Sequence, residues 1–186
     1  MLTVGIIVEG HSDAIALPEL IRKCVGDNVE VIARPCNSKS QLMRKFPGFL
    51  EEFRHVKQGM PVDKALIIRD ADNKEPRALI TAMREKYINR IYPFPVAPMI
   101  IVQELETWLL ADNQALSHVV NRSVPDLTDP LERITNPKER LQKILLDAKV
   151  PYTSEVARKI AAATRLERLE YRCLSFQAFR QALSDF

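Results

Sequence analysis

Six carboxylates fall where a sheet would gather them. Glu9 ends an apolar run in "VGIIVEGHSD", with Asp13 four residues on. Asp70 and Asp72 end a second run in "KALIIRDAD", and Glu104 and Glu106 follow a third. In a parallel α/β sheet the chemistry collects outside the C-terminal ends of the strands. Carboxylates crowded there repel, so one of them holds a proton or the group binds a cation. An oxygen-only donor set, without Cys or His, favours Mg²⁺ or Mn²⁺. In extended chain Asp70 and Asp72 share a face, so both can reach one ion, and Ala71 between them is small enough to let a ligand approach. Gly10 frees the backbone at the strand-to-helix turn. The turn Gly10, His11, Ser12 then offers amides and side chains to a phosphate at the start of a helix.

Plainer roles compete for several of these residues. Asp13 is equally suited to cap its helix, and His11 to face solvent in the turn. Glu104 and Glu106 lie two apart, so on a regular helix they cannot face the same way and at most one reaches the site. A strand-to-helix transition at that point would admit both.

The elements that must position these acids are legible in the hydrophobic pattern. Thr3–Val8, Val29–Ala33, Ala65–Arg69 and Met99–Val102 read as short buried strands. Helical spacing between them runs from Ser12 to Cys24, from a Ser38 cap through Leu42, Phe46 and Leu50, and from Pro76 to near Lys86. Pro47 is expected to kink or break the second of these. This alternation predicts a parallel sheet with helices on both faces. Beyond residue 103 the pattern becomes helical: "ELETWLLADNQAL", a helix opened by Asn136 and Pro137, one capped by Ser154, and a last one capped by Ser175. The expected division is an α/β part over 1–112 and a helical extension over 113–186, packed as one unit.

Bulk properties narrow the class without choosing a function. The 186 residues are 46% hydrophobic and 27% charged, ordinary for a globular chain, with no run long enough to span a bilayer. Cys24, Cys36 and Cys173 fit neither a disulfide framework nor a zinc ribbon, and with no signal-peptide pattern a cytoplasmic protein is expected. Net charge is +3, but residues 138–180 alone carry +5 and the remainder −2. A basic tail beside an acidic rim suits a phosphate-rich ligand; a solvated helical surface accounts for it equally. Arg165, Arg168 and Arg172 recur at helical intervals and are the candidate nucleic-acid contacts, with a structural role as partners of the core the other reading.

"VEGHSD" and "IIRDAD" resemble the two signature motifs of the Toprim superfamily, a Glu-Gly on the first strand and an Asp-x-Asp on a later one. "QELETWLLAD" and the tail "ARKIAAATRLERLEYRCLSFQAFRQAL" are similar to a small stand-alone bacterial Toprim-like family of unknown function, related to the Toprim domain of overcoming-lysogenization-defect nucleases. The resemblance implies a Toprim-like Rossmannoid, an α/β fold with a mostly parallel four-stranded sheet flanked by helices, plus a C-terminal helical extension. It also implies Glu9, Asp70 and Asp72 as the motif acids that hold the cation; their place at the same rim adds Glu104 and Glu106 as candidate ligands and Asp13 as a candidate catalytic acid beside Glu9, Asp70 and Asp72. The function expected is a Mg²⁺- or Mn²⁺-dependent nuclease or other phosphodiester-acting enzyme on DNA or RNA, with a partner ATPase if it is the effector of a bacterial defence system. The rival is a non-catalytic module that binds nucleic acid or protein with a cation.

Overall fold

The computed structural model describes residues 1–184. Four strands, β1 (Leu2–Val8), β2 (Val29–Pro35), β3 (Lys64–Asp70) and β4 (Val96–Ile101), form one sheet in the order β2-β1-β3-β4. Every pairing is parallel. The chain leaves β1 for β2 on one side, then returns across β1 to build β3 and β4 on the other. That reversal opens a crevice between the C-terminal ends of β1 and β3, where Glu9 and Asp70 emerge.

Alternation along the strands sends side chains into two cores. Val4, Ile6, Val8, Leu66, Ile68 and Ile101 face one side. There α1 (His11–Val25) is joined by α4 (Leu105–Leu109), α5 (Asn113–Val120), α6 (Pro137–Asp147), α7 (Ser154–Ala163), α8 (Leu166–Arg172) and α9 (Leu174–Ser184). Ile7, Ala65, Ile67 and Ile100 face the other, covered by α2 (Lys39–Glu52) and α3 (Pro76–Glu85). The C-terminal helices thus complete the first core. Trp108 is fully buried, stacks edge-on against Phe176 at 5.1 Å, and donates its indole N–H to Ser175 at 2.9 Å.

Several local expectations change. Pro47 does not interrupt α2, which runs through it on the buried stripe Leu42, Phe46 and Leu50. Ser38 does cap that helix, accepting from the Gln41 amide at 3.2 Å. Thr153, not Ser154, caps α7. Ser175 is inside α9, its own amide donating to the Glu132 carboxylate at 2.8 Å. The "ELETWLLADNQAL" segment is two helices, because Asp112 turns the chain and caps α5 through the Gln114 and Ala115 amides. Among the described residues, no helix is long and apolar enough to cross a membrane.

Candidate functional site

Glu9 is the first residue past β1 and is buried at 9% exposure. Its Oε1 accepts the Asp70 amide at 3.1 Å, which ties the tips of β1 and β3 together. The Arg69 guanidinium stands 3.9 Å from the same oxygen. Burial pushes the Glu9 carboxyl up; the Asp70 amide, Lys39 and Arg69 offset part of that, and Asp13 adds to it.

Asp13 is the third residue of α1 and reaches back so that its Oδ2 accepts the Gly10 amide at 2.8 Å. The capping role is therefore real. It does not remove Asp13 from the acidic group, since its carboxyl is also pushed up, first by burial and then by Glu104, against the Gly10 amide and Lys138. Gly10 has φ −120°, ordinary extended backbone, so conformational freedom is not what the turn needs. Space is: a Cβ there would stand 3.2 Å from the Asp13 carboxylate.

Asp70 is the centre of the arrangement. Its carboxyl is held well above the usual range by burial and then by four negative neighbours, Asp13, Glu9, Glu106 and Glu104. Glu104 precedes α4 in extended conformation and Glu106 lies in its first turn. The strand-to-helix transition thus lets both acids bear on Asp70. Glu104 also accepts the Lys138 amide at 3.3 Å, capping the start of α6.

Asp72 departs from expectation. It lies past the end of β3 with φ +44°, so the extended geometry that would place it beside Asp70 is absent. Its carboxylate instead contacts the Lys39 ammonium at the start of α2. Ala71 is 2% exposed and packs into the core beneath α2 rather than facing a ligand.

Three contributors carry no signal in the sequence: Tyr152, Lys138 and Ser154. The Tyr152 hydroxyl donates to Glu106 Oε1 at 2.5 Å. Burial and the Glu106 charge together hold that phenol firmly protonated. Lys138 sits over the Tyr152 ring at 5.8 Å and bears on Asp13 and Glu106. Ser12, expected to meet phosphate, shares a hydrogen bond with Ser154 at 3.1 Å, so α7 closes over the turn; His11 is exposed.

The tail arginines are engaged elsewhere. Arg165 forms a bidentate pair with buried Asp112 at 2.8 Å. Arg168 and Arg172 both bind Asp126, at 2.5 and 2.9 Å. Helix α7 runs beside α1 in the same direction: Ser154 meets Ser12 at the acidic end, Arg158 meets Glu19 midway, and the Thr164 carbonyl meets Lys23 at the far end. Ten residues of helix span about 15 Å. Arg165 therefore lies at the end of α7 remote from the acids, and the tail does not present it to the rim.

Among the described residues, no three His, Cys, Asp or Glu side chains already stand close enough to enclose a metal ion. The donor chemistry nonetheless fits a hard divalent cation. Glu9, Asp13, Asp70, Glu104 and Glu106 offer oxygen alone, and their mutual repulsion at Asp70 is what such a charge relieves. No curated protein and no solved structure matches the chain. A family model described as a domain of unknown function, DUF4276, matches residues 8–184, and the chain belongs to that family.

Proposed function

We propose that this protein is a Mg²⁺- or Mn²⁺-dependent enzyme acting on phosphodiester bonds, a nuclease in its simplest form. The observation that carries the reading is Asp70, a carboxyl at the crevice between β1 and β3 pushed up by burial and by four surrounding acids. Such a group is costly in the free protein and is matched by an incoming divalent charge. The Glu-Gly motif and the first acid of the Asp-x-Asp motif, which resemble Toprim domains, point the same way, while Asp72 stands outside the group.

Asp70 and Glu9 would hold the cation with Glu104. Bound there, it would activate water and stabilise charge on the transferring phosphoryl group. Glu106 is fixed by Tyr152, which orients its carboxylate. Alternatively, with the cation held by Asp70 and Glu104 alone, Glu9, buried and pushed up, is suited to exchange a proton with the leaving oxygen. Asp72 with Lys39 forms a charge pair at the margin of the site, where Lys39 can contact a substrate phosphate once Asp72 is displaced.

Titration calorimetry with Mg²⁺ and Mn²⁺ tests the reading. Wild type should bind and Asp70→Asn should lose most of that binding. Cleavage of single-stranded, duplex or supercoiled substrates should disappear in the same variant. Cation binding without cleavage of any of them, alone or with a partner ATPase, would leave a cation-dependent binding module. Equal binding by both proteins would place the cation elsewhere.

A further inference from the structure

Away from the acids, α6 and the loop Arg122–Leu127 enclose a cavity of about 240 Å³. Its floor is apolar, formed by Val124, Leu127 and Ile144. Its rim is basic, formed by Arg122, Arg140 and Lys143, with a single acid, Asp147. Arg122 is held in place by donating to the Asp147 carbonyl at 2.6 Å. Arg140 and Lys143 are exposed and have no ion pair among the described residues. They differ in this from Arg165, Arg168 and Arg172, whose charges are already answered by Asp112 and Asp126.

The cavity is connected to the candidate site by α6 itself. The Lys138 amide at the start of α6 binds Glu104, and Arg140 and Lys143 follow at about 3 and 8 Å along the axis. Arg140 and Lys143 stand on the side of α6 turned away from Lys138, so a strand with its phosphodiester at the acids would reach them by wrapping around the helix. A concave apolar floor suits an unstacked base and not a duplex, whose bases are hidden, and guanidinium planes stack on bases as well as bind phosphate.

We propose that this cavity docks one nucleotide of a single-stranded nucleic acid. Arg140 and Lys143 hold its phosphate, and the base lies against Ile144, Leu127 and the Arg122 guanidinium. The assignment of the strand's neighbouring phosphodiester to the acids rests on the function proposed above; the docking site itself does not.

The test is fluorescence anisotropy with a labelled oligo(dT) strand in EDTA, where no cleavage can intervene. The Arg140→Gln, Lys143→Gln double variant should bind at least about tenfold more weakly. Its log–log salt dependence should flatten by about 0.7, since the one phosphate of the single strand that is no longer neutralised removes that much from the slope. Ile144→Gln should weaken binding with the salt slope unchanged, and a duplex of the same length should compete poorly. Melting temperatures near wild type would show that the variants fold. Wild-type affinity and slope in the double variant would overturn the proposal, as would undiminished affinity in Ile144→Gln or equal competition by duplex. Retained oligonucleotide binding by a protein that binds no divalent cation would sink the phosphodiester reading and leave this one standing.

Discussion

At the scale of the residue, the balance at the site is between solvation and charge. Glu9, Asp13, Asp70 and Glu106 all have carboxyls pushed up, burial first in each case. A carboxyl raised in the folded state contributes stability that is fully present below its unfolded pKa and is lost as pH rises through the folded one. The cation-free protein should therefore lose stability from these groups as pH climbs from about 4, near the unfolded value, toward neutrality. Asp70→Asn removes the most crowded charge and keeps the shape. In EDTA at pH 8 it should melt higher than wild type, by roughly 2–4 °C for each kcal/mol of repulsion relieved. The gap should shrink toward pH 4, where wild-type Asp70 is itself neutral, and Mg²⁺ should raise the wild type and not the variant. A variant melting lower at pH 8 would show that Asp70 is satisfied by the protein alone. Glu9 and Asp70 are legible in the sequence because both sit at ends of apolar runs. Tyr152 is not, since a lone tyrosine in a loop says nothing about a glutamate 46 positions away.

At the scale of the element, the strands and most helices follow from periodicity, and the departures have local causes. The Asp-x-Asp spacing implies a shared face in extended chain, but β3 ends at Asp70. A turn with three left-handed residues nearby, Asp72, Asn73 and Gln103, redirects the second acid toward α2. A two-residue spacing fixes a shared face only while the strand lasts. Glu104 and Glu106 reverse the case: the pattern leaves their helix start open, and its position after Glu104 brings both to bear on Asp70. The central strand shows a constraint that composition hides. A Cβ on Gly5 would lie 2.5 Å from the Phe53 ring, which is fully buried beneath β1. Gly5→Ala must displace that ring or shift β1, and with it Glu9. The expected cost is about 1–3 kcal/mol of overpacking, read as a lower melting temperature. Adding Phe53→Leu should recover much of the loss by clearing the ring. Failure of that rescue would place the strain in the strand and not in the contact.

At the scale of the whole molecule, the tail is what joins the site to the rest of the protein. Helical spacing alone offers no way to choose between arginines that bind a ligand and arginines that hold the tail, because it is the same for both. The fold separates them by what lies opposite. Asp112 is completely buried, and although burial pushes its carboxyl up, hydrogen bonds from the Arg165 side chain and amide and from Gln114 prevail and hold it at about 2. A depressed carboxyl contributes stability that is present above its unfolded pKa, about 3.9, and is lost as pH falls toward the folded value. Arg165→Gln leaves that carboxylate buried with its charge unanswered. The variant should melt clearly below wild type at pH 7, and the difference should narrow as pH falls from about 4 to about 2. Because Arg165 lies past the end of α7 opposite Ser154, which meets Ser12 at the acidic end, divalent-cation affinity at a temperature where the variant is folded should match wild type. Oligonucleotide affinity and its salt dependence should also be unchanged. A flattened salt slope in a variant of unchanged melting temperature would reverse the assignment and make Arg165 a contact for phosphate.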